Sequence, residues 1–193
     1  EPKSPYGLAK MEAERTLDAA VQTGRISGAS LRLFDVTGAA HGCAERHEPE
    51  SHLIPLALQA ISGDRALVAI RGQDFDTPDG TCIRDYVHVL DVCEAFLRAG
   101  QRCLHRHRSG EVEHEIFHVG SGRAHSVLEV LRICAEVVGQ TVPTVHADRR
   151  AHAVSSLVCC PARLKMLLDL EPSTDLHAMV LDCATSMGLL ADR

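Results

Sequence analysis

Ser4-Pro5-Tyr6-Gly7-Leu8-Ala9-Lys10 places a phenol and an amine four residues apart at the start of a predicted helix, so both side chains share one face. An ammonium beside a phenol favours the phenolate, bringing the tyrosine's proton affinity toward working pH, as proton transfer to and from a hydroxyl requires. Tyr6 is therefore a candidate acid/base and Lys10 its partner, although such a pair also recurs on solvated helices. Leu8, Met11, Ala13, Leu17, Ala20 and Val21 continue the helix from Pro5 to about Val21, with Ser4 as N-cap and Pro5 in the first turn. Gly24 and Gly28 close it. Ala29 to Val36 then reads as a short buried strand ending in a Thr37-Gly38 turn. Doubly wound sheets present ligand-binding residues at the carboxyl ends of their strands, which singles out Phe34 and Asp35.

Two longer stretches follow: Glu50-Ser51-His52-Leu53-Ile54-Pro55-Leu56 and Thr77-Pro78-Asp79-Gly80-Thr81-Cys82-Ile83-Arg84-Asp85-Tyr86-Val87-His88-Val89. Ala39 to Glu50 reads as a loop across a cleft, and its His41, Cys43 and His47 match no common zinc spacing. His52 to Ile61 forms a helical pattern whose first N–H groups can meet phosphate oxygens. Ala66 to Gly72 is an alternating strand, followed by an acidic turn and a second strand at Cys82 to Val87. In that strand the Arg84 guanidinium can clamp a diphosphate through paired charge-assisted hydrogen bonds. Its alternative is a salt bridge to Asp85 or Asp91.

Val89 to Ala99 predicts a helix capped by Gly100, and Gln101 to Gly110 a basic, solvated loop. Glu115 to Gly120 gives a strand, and Ser126 to Val138 a helix with a capping box between Ser126 and Glu129. Thr144 to Ala147 is a last strand leading into Arg149-Arg150, two adjacent arginines that suit an anion. Helices over about Pro161 to Leu168 and Thr174 to Met187 complete the chain.

The 193 residues, 45% of them hydrophobic, suffice for one sizeable domain or part of one. A net charge of −6 argues against an electrostatic nucleic-acid binder. No apolar run is long enough to span a bilayer and the first residues do not form a signal peptide, so the expectation is a cytoplasmic protein. The eight cysteines show no C-x-x-C spacing and read as reduced thiols.

With Ser4 to Lys10, the two longer stretches resemble the UDP-glucose 4-epimerases of the extended short-chain dehydrogenase/reductase superfamily. The resemblance implies an α/β chain: the C-terminal part of an extended Rossmann fold with a small α/β substrate-binding domain. Residues 1–50 would complete the NAD-binding domain, and residues 51–193 would form mainly the substrate domain, with some segments returning to the Rossmann sheet. Glu1 is not an initiator methionine, and the family's glycine-rich segment lies upstream of the Tyr-Lys pair. The expectation is therefore an excerpt with uncovered strand edges and helix faces, poorly stable and inactive alone.

The resemblance also assigns residues. Tyr6 and Lys10 would be catalytic and, with Phe34, would contact NAD, Lys10 through the nicotinamide ribose. Asp35 stands where the family has an amide touching the sugar nucleotide. His52 and Leu53 would contact the nucleotide, Ala69, Ile70 and Arg71 would lie along the uracil, and Arg150 would join Arg84 on the diphosphate. His152-Ala153 replaces a family Gly-Asp, and Leu157 replaces a substrate-contacting tyrosine. The implied partners are a UDP-sugar and a second copy of the chain, docked through the Tyr-Lys helix. Asp35, Ala153 and Leu157 keep open another nucleotide-sugar dehydratase, reductase or decarboxylase, and a non-catalytic remnant is the third alternative.

Overall fold

A computed structural model of the chain describes residues 2, 4–151 and 153–190, so His152 lies outside the described residues. Helix α1 (Pro5–Gln22) begins where Ser4 Oγ accepts the Gly7 N–H at 3.1 Å, with Pro5 in its first turn. Of its apolar residues only Val21 is buried, so polar links hold it to the sheet. Arg32 donates through Nε and Nη2 to the two Glu14 oxygens at 2.7 and 2.6 Å. One turn further on, Asp18 lies 3.4 Å from His114 Nδ1, whose Nε2 is 2.8 Å from Ser30 Oγ.

Strand β1 (Gly28–Leu33) runs parallel to β6 (His114–Val119), and β2 (Asp35–Thr37) runs parallel to β5 (Tyr86–His88). The expected single strand changes neighbour at Phe34, because successive strand amides point to opposite sides. Phe34 N–H donates to Val119 O, and Asp35 N–H to Asp85 O, each at 3.0 Å. Helix α3 (Val89–Arg108) connects β5 to β6, giving the parallel strand-helix-strand unit of an α/β sheet.

Two sequence expectations need correction. Cys82 to Val87 is not one strand: β4 (Ile83–Arg84) lies between β7 (His125–Ser126) and β9 (Ser156–Leu157), whereas β5 joins the parallel sheet. Strand β3 (Val68–Arg71) pairs in parallel with β8 (Thr144–Ala147), a neighbour distant in sequence. Helix α3 runs through Gly100 to Arg108, replacing the expected loop. Arg102 forks onto buried Glu115, and Arg106 pairs with Glu111 and Glu113, so side-chain links outweigh a glycine penalty of about 1 kcal/mol.

Two apolar cores position the cleft. Helices α2 (Leu53–Ser62), α4 (Val127–Val138) and α6 (Leu176–Ser186) pack through Leu58, Val130 and Met179 beneath β3. Ser126 Oγ caps α4 by accepting Glu129 N–H, while the Glu129 carboxylate turns to His125. Helices α3 and α5 (Ala162–Leu168) cover β1 and β6 through Ala95, Phe117 and Leu164. The outer face of α3 leaves Leu90, Phe96, Leu97 and Leu104 exposed. No helix among the described residues is long and apolar enough to cross a membrane.

Candidate functional site

Strand β2, the start of α2, β3 and β4 surround a cleft of about 510 Å³. Asp35, His52, Leu53, Ala69, Arg71, Arg84 and Arg150, all expected from the sequence, line it. Ile70 does not: alternation along β3 turns its side chain into the core, where it is 3% exposed. Its neighbours Ala69 and Arg71 face the cleft.

Charge is divided along this wall. Arg65, Arg71, Arg84 and Arg150 supply four cations, and Asp35, Glu45 and Glu50 three carboxylates. Arg84 does not pair with Asp85 or Asp91. Its Nη1 donates to the carbonyls of Ile83 at 2.6 Å and Val154 at 3.2 Å, and its Nε and Nη2 make no hydrogen bond among the described residues. Among the described residues no carboxylate lies in ion-pair range of Arg84 or Arg150. The surrounding protein pushes the Asp35 carboxyl above its ordinary value, while Arg84 and His52 pull it down. The side chain still reaches solvent through the cleft mouth, which moderates the desolvation.

At the start of α2, Glu50 Oε1 accepts the N–H groups of Ser51 and His52 at 2.7 and 2.8 Å. Burial pushes the Glu50 carboxyl upward, but these bonds outweigh it and the net shift is down. His52 Nδ1 stands 3.0 Å from both Glu50 Oε1 and Glu45 Oε1. Sequence reading missed Glu45, Glu50 and Arg65. The first two sit in or beside a loop without periodicity, and only the packing of that loop against His52 reveals them.

Tyr6 and Lys10 do share a face of α1, with Nζ 5.3 Å from the ring centroid, and the phenol is 73% exposed. They are not part of the cleft wall. The chain's other tyrosine, Tyr86, lines the cleft but is buried, and burial followed by Asp35 raises its phenol far above neutrality. Phe34 lies at the β1–β2 junction, its ring centroid 6.3 Å from that of His118.

Comparison with known proteins agrees with this geometry. Residues 1–120 match the model of the NAD dependent epimerase/dehydratase family. The chain is 36% identical to UDP-glucose 4-epimerase of Corynebacterium glutamicum, covering 100% of this chain and 57% of that protein. It is 40% identical to the Azospirillum brasilense UDP-glucose 4-epimerase, covering 90% and 49%. Among solved structures, UDP-glucose 4-epimerase from Brucella ovis in complex with NAD superposes with a TM-score of 0.87 at 32% identity, covering 97% of this chain and 57% of that one. The chain thus spans about half the length of the relatives it matches, and its Rossmann-like α/β fold is theirs. The chain belongs to the NAD dependent epimerase/dehydratase family.

Proposed function

We propose that this chain supplies the sugar-nucleotide cleft and the acid/base pair of an NAD-dependent epimerase interconverting UDP-glucose and UDP-galactose. The observation carrying this reading is the convergence of Arg84 and Arg150, both without a carboxylate partner among the described residues, on the same cleft as the start of α2. A guanidinium fork matches the oxygens of a diphosphate, and the amides at a helix start favour the same charge. His52, Leu53, Ala69 and Arg71 surround the nucleotide end.

Tyr6, Lys10 and Phe34 are the residues that would hold NAD. An exposed phenol and ammonium on one helix face, with an aromatic ring at a strand's carboxyl end, fit its nicotinamide-ribose end. NAD, when bound, supplies reversible hydride acceptance at the sugar's 4-position. Tyr6 takes the hydroxyl proton and returns it, and Lys10 favours the phenolate and binds the ribose. Arg84 and Arg150 hold the diphosphate so that the sugar can turn without leaving. We also place the protein in galactose metabolism in the cytoplasm, as a homodimer formed through α1. Residues 1–50 belong in this reading to the NAD-binding domain, and residues 51–193 mainly to the substrate domain.

A second reading, another nucleotide-sugar enzyme such as a dehydratase, is favoured by Asp35 and Ala153 in the cleft wall and by exposed Leu157. Product analysis on UDP-galactose with NAD, using protein from its native source, separates them. UDP-glucose as product is the expected result. A 4-keto sugar without UDP-glucose overturns the epimerase assignment, and no turnover with no NAD binding leaves a non-catalytic remnant.

A further inference from the structure

The cleft reading gives no role to one buried carboxylate. Asp85 is 1% exposed, and among the described residues no cation lies in ion-pair range of it. Its Oδ1 accepts Ser121 N–H at 2.9 Å and Ser121 Oγ–H at 2.7 Å. Its Oδ2 accepts Gly122 N–H at 2.8 Å and Cys159 N–H at 2.9 Å. An ionised carboxylate only accepts, so four donors from two distant segments satisfy it without a counter-ion. The Asp85 carbonyl in turn accepts Asp35 N–H at 3.0 Å.

Gly120 packs tightly against this carboxylate. A Cβ on Gly120 would stand 2.5 Å from Cys159 Cβ, 2.9 Å from Asp85 Oδ2 and 3.1 Å from Phe34 Cγ. The end of β6, the chain after β9 and the β1–β2 junction therefore meet at Asp85. Both unpaired arginines depend on these segments. Arg84 is the preceding residue, and its Nη1 reaches Val154 O. Arg150 lies on the segment entering β9, which is registered against β4 with Arg84 opposite Leu157.

We propose that Asp85 is a positioning residue for the anion clamp: by tying Cys159 and the 120–122 turn together, it holds β9 against β4 and sets the placement of Arg84 and Arg150. This rests on the reading that the clamp takes a diphosphate. In Asp85→Asn, an amide NH2 faces a backbone donor, so at least one bond is lost and two donors oppose each other.

The experiment titrates the chain with UDP and with uridine by calorimetry. Asp85→Asn should weaken UDP about tenfold and leave uridine unchanged. Ser121→Ala removes one of the four bonds with little threat to folding, and should weaken UDP roughly threefold. Arg84→Gln should add little to the loss already caused by Asp85→Asn. Equal losses for UDP and uridine, or independent addition of the Arg84 and Asp85 effects, overturn the proposal. If the parent chain shows no preference for UDP over uridine, the diphosphate reading fails, and hydrogen exchange over residues 153–160 decides the positioning role. Faster exchange there in Ser121→Ala, with β1 and β6 unchanged, supports it; unchanged exchange overturns it.

Discussion

Replacing Glu115 by leucine should destabilise the chain by about 2–3 kcal/mol, and the reason lies in the part of α3 beyond Gly100. Arg102 Nε and Nη2 donate to Glu115 Oε2 and Oε1 at 2.7 and 3.0 Å, with the Glu115 side chain 4% and the Arg102 side chain 25% exposed. Removing one member of a fully buried pair costs about 3–5 kcal/mol, because the other charge is stranded. Arg102 retains access to water, so screening places the loss at or below the lower end of that range. Converting both residues, Arg102→Met with Glu115→Leu, removes the stranded charge and should return stability to within about 1 kcal/mol of the parent. Urea unfolding of the parent, both single variants and the double variant measures the cycle directly. A Glu115→Leu loss below about 0.5 kcal/mol, or a double variant as unstable as the summed singles, would refute the reasoning. It would also remove the main reason given for the helix continuing past glycine.

Three further outcomes follow from the same geometry. Gly120→Ala should lower stability by about 1–3 kcal/mol through overpacking against Cys159, Asp85 and Phe34, and an unfolding midpoint equal to the parent's would contradict those contacts. Asp35→Asn should tighten UDP binding roughly threefold to tenfold at neutral pH by removing a like charge near the clamp. Because burial raises the Asp35 carboxyl, its protonation as pH falls should strengthen UDP binding in the parent, a component the Asn variant lacks; titrations at several pH values check both. The hydrogen bond from Arg32 holds the Glu14 carboxyl below its ordinary value of 4.5. Its contribution to anchoring α1 is complete above that value and fades as pH falls through the lowered one, and hydrogen exchange in α1 should rise over that interval in the parent but not in Glu14→Gln.

Much of the architecture is written locally. The Ser4 and Ser126 caps, the apolar stripe of α2 and the alternation of β3 each follow from short-range chemistry, and all appear where the sequence places them. The failures are long-range. Gly100 reads as a stop signal, yet Glu113 and Glu115, more than ten residues later, fix the arginines that carry α3 onward. The break between Arg84 and Tyr86 comes from Asp85, whose side chain is claimed by residues 121, 122 and 159. At the site, residue type was enough to single out Arg84 and Arg150, both of which line the cleft. It does not tell which way Ile70 points, which depends on the pleat, and it passes over Glu45 and Glu50, which come together with His52 only when the loop packs.

The central claim, that Arg84 and Arg150 make one sugar-nucleotide cleft with the start of α2, is tested most directly by mapping UDP-glucose onto the chain through amide chemical shifts. The account predicts saturable changes at Arg84, Arg150, His52, Leu53 and Ala69, abolished together in Arg84→Gln. Changes confined to the separate hollow formed by residues 72–74 and 146–149, or unaffected by Arg84→Gln, would contradict it.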